Sequence, residues 1–249
     1  MLGAIIGSFL NVVILRYHTG RTISGRSSCA SCGKKLSWHE LIPIISFLVL
    51  RGKCRACKSA ISLQYPIVEM TTAIIFVLVG TNLSSGDVAL YRVLYAAYEA
   101  ILWSLLVVIS AYDIRHKVIP DIPAYAFIAL SALSVFGFRE VAGSFSLPHL
   151  LAGLGLALFP ATLWLISRGR WIGLGDAKVL LGIGFLLGPS LGVSSLVYAF
   201  WIGALFSLFL LSMRGKEFTM KSEIPFGPFI VLGTAIAYFL NLDLFSILL

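Results

Sequence analysis

The sequence predicts an all-α membrane protein whose helices cross the bilayer several times. Of its 249 residues, 59% are hydrophobic and only 12% are charged, whereas soluble domains carry about 25% charged residues. A helix needs about 20 apolar residues to cross roughly 30 Å of hydrocarbon, and helices satisfy their own backbone groups there. Five long stretches carry no Asp, Glu, Lys or Arg: 70–86, 122–138, 141–167, 179–213 and 224–242.

These stretches predict about eight transmembrane helices. The 35-residue stretch 179–213 is long enough for two helices, and Gly188-Pro189 offers a natural turn between them. The sixth helix is then only about half the usual length, which would recess its first residues or open a watery cavity above them. The predicted spans are 2–16, 66–83, 91–112, 121–138, 148–167, 177–187, 191–213 and 226–248.

The basic residues indicate the orientation of the chain. The net charge is +8, and 17 of the 19 Lys and Arg residues fall in alternate loops of the eight-helix arrangement, 16–65, 113–121, 168–178 and 213–222. By the positive-inside rule these loops face the cytoplasm and both termini lie outside. The charge therefore reflects topology and contact with anionic lipid, and it does not indicate a nucleic-acid partner.

One polar insertion interrupts the hydrophobic pattern and contains all four cysteines. They form two pairs, Cys29-Ala-Ser-Cys32 and Cys54-Arg-Ala-Cys57. Two CxxC pairs supply four thiolates for a tetrahedral Zn²⁺, and four protein ligands indicate a structural metal. Two disulfides or free thiols are the alternative, although a cytoplasmic loop is reducing. The chain thus divides into a first helix (1–16), a small zinc-ribbon-like loop (17–65) and a transmembrane domain (66–249).

Two acids at the cytoplasmic membrane edge are the candidate catalytic residues. Asp113 ends the third predicted span, and Asp176 follows the glycines of Gly173-Leu-Gly-Asp176 at the start of the sixth. Ionisable groups at membrane depth are costly and by default indicate function. Two neighbouring carboxyls cannot both ionise, so one can act as base on a water while the other donates a proton, as in an aspartyl protease. The two glycines would let the backbone approach a substrate strand.

Structural explanations also exist for each acid. Asp176 could cap the sixth helix, Asp121 could cap the fourth, and Asp113 could pair with Arg115 or Lys117. An ion-coupled transporter is a second functional class, because transporters also contain intramembrane acids and broken helices. A non-catalytic membrane scaffold with a zinc platform is a third.

The chain resembles the type IV prepilin peptidases, a family of bacterial membrane enzymes, nearly from end to end. The resemblance includes Gly7-Ser-Phe-Leu-Asn11, both CxxC pairs and Tyr65-Pro-Ile-Val-Glu69. It continues through the stretch from Asp113 to Asp121, Gly173-Leu-Gly-Asp176-Ala-Lys178 and Ile224-Pro-Phe-Gly227-Pro228.

The resemblance implies a bifunctional aspartyl endopeptidase of the bacterial cytoplasmic membrane. Its catalytic aspartates are those that match Asp113 and Asp176. Such enzymes cleave the leader of type IV prepilins and pseudopilins after a glycine, on the cytoplasmic side. They then methylate the new N-terminus with S-adenosylmethionine. The sequence does not locate the methyl-donor pocket, and the candidate residues for it are Gly7, Asn11, Arg16 and Glu69.

Overall fold

The computed structural model describes residues 1–20, 22, 25–81, 89–137, 145–212 and 224–248. Within these ranges every regular element is helical, and extended pairing is limited to two isolated bridges. The helices are α1 (Leu2–Arg16), α2 (Ile45–Val49), α3 (Gln64–Thr81), α4 (Ala89–His116), α5 (Asp121–Val135), α6 (Leu147–Ser167), α7 (Leu174–Ser212), α8 (Gly227–Phe239) and α9 (Leu244–Leu248), with a short 3₁₀ helix at Trp38–Leu41.

Four of the described helices are long and apolar enough to cross a membrane, namely α3, α4 (from Leu90), α6 and α7. Three more apolar helices, α1, α5 and α8, are shorter. This confirms a helical membrane protein, while the number of spans stays a prediction. Several boundaries agree with the prediction, including both ends of α1 and the end of α6.

Two predicted spans end earlier than expected. The span predicted at 121–138 ends as a helix at Val135, because Gly137 adopts a φ of 75° and the Ser146 N–H donates to the Val135 carbonyl over 2.8 Å. The span predicted at 226–248 is interrupted between Phe239 and Leu244. There Asn241 has a φ of 49°, a left-handed conformation that ends a helix. The last residues of the spans predicted at 66–83 and 191–213 lie outside the described residues.

The chain forms two compact units, Met1–Ala111 and Tyr112–Leu249, called here the N-terminal and C-terminal units. In the N-terminal unit α1 packs against α3, and the cysteine-containing loop leaves α1 and returns to α3. In the C-terminal unit α7 is central and packs against α5, α6 and α8. The central position of α7 matters for function because this helix carries Asp176 in its first turn.

The predicted break at Gly188-Pro189 is confirmed. Gly188 has φ 74° and ψ −169°, and α7 therefore consists of two helical segments, 174–187 and 189–212. This combination of angles is open essentially to glycine alone. The first segment rises roughly 20 Å, well short of a bilayer core of about 30 Å. The short helix expected after Asp176 is therefore present.

We predict that Gly188→Ala lowers the free energy of unfolding by roughly 1–3 kcal/mol, because alanine is strained at these angles. A Cβ atom there would also lie 3.0 Å from His149 Nε2. Thermal unfolding of the purified protein in detergent measures the effect. Gly155→Ala is the matched control, because a Cβ at this helical position meets nothing within 4 Å. A melting temperature unchanged by Gly188→Ala would contradict the prediction.

Candidate active site and metal centre

Asp113 and Asp176 lie 63 positions apart in the sequence and line the same cavity of the C-terminal unit, which encloses about 670 Å³. Asp113 lies in the last turns of α4 and Asp176 in the first turn of α7. Both side chains are buried, at 5% and 8% exposure. The two carboxyl groups are close enough for their charges to interact. The cavity falls within the size range of enzyme and ligand sites.

The loop before α7 places Asp176 against the cavity. The helix begins at Leu174, so Asp176 lies inside the first turn, and its N–H donates to the Gly173 carbonyl over 3.2 Å. The N-cap reading of Asp176 is therefore wrong. Gly175 packs tightly against Ile119, which lies just before α5. A Cβ atom on Gly175 would lie only 2.8 Å from Ile119 Cβ. Close packing against Ile119 thus explains this glycine without a substrate strand.

A backbone group from α8 holds Asp113. The Gly227 N–H donates to Asp113 Oδ2 over 3.0 Å, and both groups are buried. This contact joins residues 114 positions apart in the chain. The sequence suggested Arg115 or Lys117 as the partner of Asp113. In the structure the Asp113 carboxyl instead accepts a hydrogen bond from an uncharged backbone N–H of another helix.

The other charged groups on the cavity wall include a neutralising pair. The Lys178 ammonium contacts Asp121 Oδ1 over 2.6 Å and lies 4.7 Å from the centre of the Tyr125 ring. Asp121 is the first residue of α5, whose N-cap is Pro120 and which has no side-chain cap. The N-cap reading of Asp121 is therefore wrong, because its carboxylate pairs with Lys178.

An aromatic wall on the far side of the cavity was missed by sequence reasoning. Phe226 lies between Phe200 and Phe229, with ring centroids 5.0 and 6.5 Å away. Gly203 and Ala204 of α7 line the same wall. The sequence did single out the segment Ile224–Pro228, which contains Phe226. The composition of this segment does not show which residues of other helices it contacts. Apolar walls with a few polar groups are the usual composition of a ligand-binding cavity.

The four cysteines converge as the spacing predicts. All of them are described, none forms a disulfide, and their Sγ atoms lie within 4.8 Å of one another. The Sγ atoms of Cys29 and Cys57 are 3.8 Å apart. A tetrahedral ion with metal–sulfur bonds of about 2.3 Å requires sulfur atoms roughly 3.8 Å apart. The donor set therefore fits a metal ion of the zinc type.

Two similar turns present the thiols. In the first, the Cys29 N–H donates to the Lys34 carbonyl and the Gly33 N–H to the Cys29 carbonyl. In the second, Cys54 pairs in the same way with Ser59 and Lys58. The backbone N–H groups of Cys32 and Ser31 donate to the Cys29 sulfur and lower the pKa of Cys29 to about 6. This favours the thiolate, which is the form that binds metal.

The candidate residues for the methyl donor lie in the N-terminal unit, and three of them come together. A Cβ at Gly7 would lie 2.7 Å from Glu69 Cα, so α1 and α3 touch there. Asn11 Nδ2 donates to the carbonyls of Gly7 and Tyr65, over 3.3 and 3.1 Å. Glu69 Oε2 accepts the Ile44 N–H over 2.7 Å.

Arg16 is engaged elsewhere, since its Nη1 donates to the Thr22 carbonyl over 2.7 Å. Among the four candidates, the unpartnered buried atom in the described residues is Asn11 Oδ1, on a side chain 1% exposed. The contacts of Gly7, Asn11 and Glu69 join α1 and α3 and bind the backbone at Ile44, and they do not by themselves assign a methyl-donor pocket. We therefore assign no methyl-transfer step to these residues.

Comparison with known proteins finds two successive family matches along the chain. The bacterial peptidase A24 N-terminal domain matches residues 1–83, and the type IV leader peptidase family matches residues 100–208. The prepilin leader peptidase/N-methyltransferase of Bacillus subtilis is 30% identical, with 96% of this chain and 91% of that protein aligned.

Proteins of the same name from two other bacteria agree. That of Xanthomonas campestris is 30% identical over 98% of this chain and 90% of its own length, and that of Pseudomonas aeruginosa is 29% identical over 95% and 87%. The chain belongs to the type IV leader peptidase family. No solved structure matches the chain.

In this member of the leader peptidase family, the two candidate sites lie in different matched ranges. The N-terminal match contains all four cysteines, and the second match contains Asp113 and Asp176. Gly227, which binds Asp113, lies beyond both ranges.

We predict that the purified protein contains one metal ion per chain and that Cys54→Ser abolishes its retention, because the buried Cys54 thiol is one of the four candidate ligands. Elemental analysis and limited proteolysis of the loop measure metal content and folding. The control is Ser31→Ala, which alters an exposed residue between two cysteines and keeps all four thiols. Equal metal content in the wild type and Cys54→Ser would contradict the site.

Proposed function

We propose that this protein is a bifunctional membrane enzyme that removes the leader of type IV prepilins or pseudopilins and then methylates the new N-terminus. The observation that carries the peptidase half is the pair of buried carboxyls, Asp113 and Asp176, facing one cavity. Membership of the leader peptidase family and the names of the relatives support the same substrate class. In this proposal the scissile bond follows a glycine.

Asp113 and Asp176 are the proposed catalytic residues. Two carboxyls in one buried cavity hold a single proton between them, since two adjacent negative charges repel. The ionised carboxyl accepts a proton from water as the water oxygen bonds to the peptide carbonyl carbon. The protonated carboxyl gives its proton to the leaving amine, and the C–N bond breaks. The products are a leader with a new carboxyl group and a pilin with a free amine.

The proposed topology has eight transmembrane helices in the bacterial cytoplasmic membrane, with both termini outside and the catalytic loops in the cytoplasm. The distribution of Lys and Arg supports this orientation. The break of α7 at Gly188 supports two spans within that helix. We propose the first helix (1–16), a cytoplasmic loop (17–65) and the peptidase domain (66–249) as the functional parts.

We propose structural Zn²⁺ as the metal of the four cysteines. The cytoplasm is reducing, which favours thiolates over disulfides. Bound zinc would cross-link the two CxxC turns and would stabilise a loop with little apolar core of its own. Cys29, Cys32, Cys54 and Cys57 fill its four positions, so this ion leaves no open site for catalysis.

The methyl-transfer half rests on the relatives, which are named as N-methyltransferases. S-adenosylmethionine would supply the methyl group to the amine that cleavage releases. No observation favours the ion-coupled transporter as the function of the chain.

We predict that Asp113→Asn and Asp176→Asn each lower the rate of prepilin cleavage by about a hundredfold or more, because neither amide can exchange the required proton. Gel separation and mass of the processed pilin measure cleavage. Circular dichroism and gel filtration in detergent check that the variants fold.

The matched control is Asp121→Asn, which alters an acid on the same cavity that pairs with Lys178. Loss of this partly exposed pair should cost less than about 1 kcal/mol of stability and leave most activity. Full cleavage by either of the other two variants would overturn the assignment. Ion-coupled uptake into vesicles, without cleavage, would support the transporter.

We also predict that the two activities separate. Wild-type protein, a prepilin and isotope-labelled S-adenosylmethionine should give a leader-free, singly methylated pilin by mass spectrometry. Asp113→Asn should leave the prepilin unmethylated because no amine is released, yet it should methylate a pilin whose leader has already been removed. Cleavage by the wild type with no labelled product would reject the methyltransferase half and leave the peptidase intact.

A further inference from the structure

We propose that Gly227, at the start of α8, is a positioning residue that fixes the carboxyl of Asp113 through its backbone N–H. This inference rests on the proposed function, since Asp113 is taken as one of the two catalytic acids. It assigns a role to the segment Ile224–Pro228, which sequence reasoning singled out and which the mechanism above leaves unused.

The hydrogen-bond inventory of the first turn of α8 supports this role. Pro228 has no N–H, and the N–H groups of Phe229 and Ile230 both donate to the Phe226 carbonyl, over 3.0 and 3.1 Å. The Gly227 N–H is therefore the donor of this turn left for an outside acceptor, and it donates to Asp113 Oδ2 over 3.0 Å. No side chain caps α8 at Phe226.

The helix terminus suits a carboxylate. The first N–H groups of a helix lack intrahelical partners, and the helix dipole places partial positive charge there. Asp113 thus serves as the cap of α8 from a different helix. In return, the N–H fixes one carboxyl oxygen and leaves the other for chemistry in the cavity, which Asp113 and Phe226 both line.

The absence of a side chain at position 227 is part of the arrangement. A Cβ there would lie 2.7 Å from Asp113 Oδ2 and 3.3 Å from Cγ. Atoms of the acid itself are the nearest neighbours, so any larger residue must move the carboxyl. The carboxyl is the end of a side chain and can turn away without unfolding the helix.

The test uses Gly227→Ala in the full-length protein with a purified type IV prepilin as substrate. Displacing a catalytic group by about 1 Å can cost about a hundredfold in rate. We expect kcat to fall at least about tenfold, with KM within about twofold of the wild type, because substrate binding uses the rest of the cavity. A kcat within about threefold of the wild type would overturn the proposal.

Two variants in α8 separate positioning from structure. Pro228→Ala keeps the Gly227 N–H and adds one backbone donor to the turn but no side-chain bulk, so Asp113 stays held and kcat should stay near that of the wild type. Thr234→Ala removes a buried hydroxyl that donates to the Ile230 carbonyl over 2.7 Å. It should lower the melting temperature by a few degrees, while the folded enzyme keeps its kcat. If Thr234→Ala reduced kcat as much as Gly227→Ala, general loosening of α8 would replace positioning as the explanation.

Hydrogen exchange gives a second measurement that does not require the Gly227 variant to fold. The peptide containing Gly227 should exchange faster in Asp113→Ala than in Asp176→Ala, because only the first variant removes the acceptor. Equal exchange in the two variants would overturn the contact. If the wild type fails to cleave any prepilin, the proposed function fails, while the exchange comparison still decides the contact.

Discussion

The burial of two carboxyl groups in an apolar helical unit is the constraint on which the proposed chemistry depends. Removing an acid from water is costly unless donors or shared protons offset the loss. Asp113 receives the Gly227 N–H, and Asp176 lies in the first turn of α7, where the dipole favours negative charge. Each acid is therefore stabilised by a helix end, and among the described residues no ion pair joins either acid to a cation.

The architecture of α7 brings these acids together. Its first segment is short because Gly188 breaks the helix, and the helix that carries Asp176 packs against α5, α6 and α8 within the C-terminal unit. A cation on the same wall, Lys178, is neutralised by Asp121. The arrangement leaves the two acids to interact with each other, which is the electrostatic condition for sharing one proton.

The two candidate sites of the chain are held together by different kinds of interaction. The cysteine loop buries few apolar side chains, so its proposed stability comes from metal–thiolate bonds between two similar turns. The candidate peptidase site is held by helix packing and by the hydrogen bond from the Gly227 N–H to Asp113 across the C-terminal unit. Metal loss and loss of the acids are therefore expected to have separable consequences, the first on folding of the loop and the second on chemistry.

Several parts of the fold and sites could be predicted because the signal is local. The helix bounds of α1, the break at Gly188-Pro189 and the convergence of the two CxxC pairs follow from hydropathy, backbone preference and ligand spacing over short stretches. The errors have a common cause. The cap expected for Asp121 and the cap considered as the alternative role of Asp176 rested on local preference. In the structure Pro120 is the N-cap of α5, and Lys178 on another helix determines the contact that Asp121 makes. The break near Asn241 was missed because the sequence there contains no polar stretch long enough to predict the end of a span.

The sequence by itself determined the class of the protein and singled out the two acids and the four thiols of the candidate sites, because apolar length, charge distribution and cysteine spacing are properties of the chain order. The tertiary structure decided what surrounds them. Gly227 lies 114 positions from Asp113, and the aromatic wall combines α7 with α8. Such contacts depend on how helices pack, and helix packing is set by shape complementarity among distant residues rather than by any short segment.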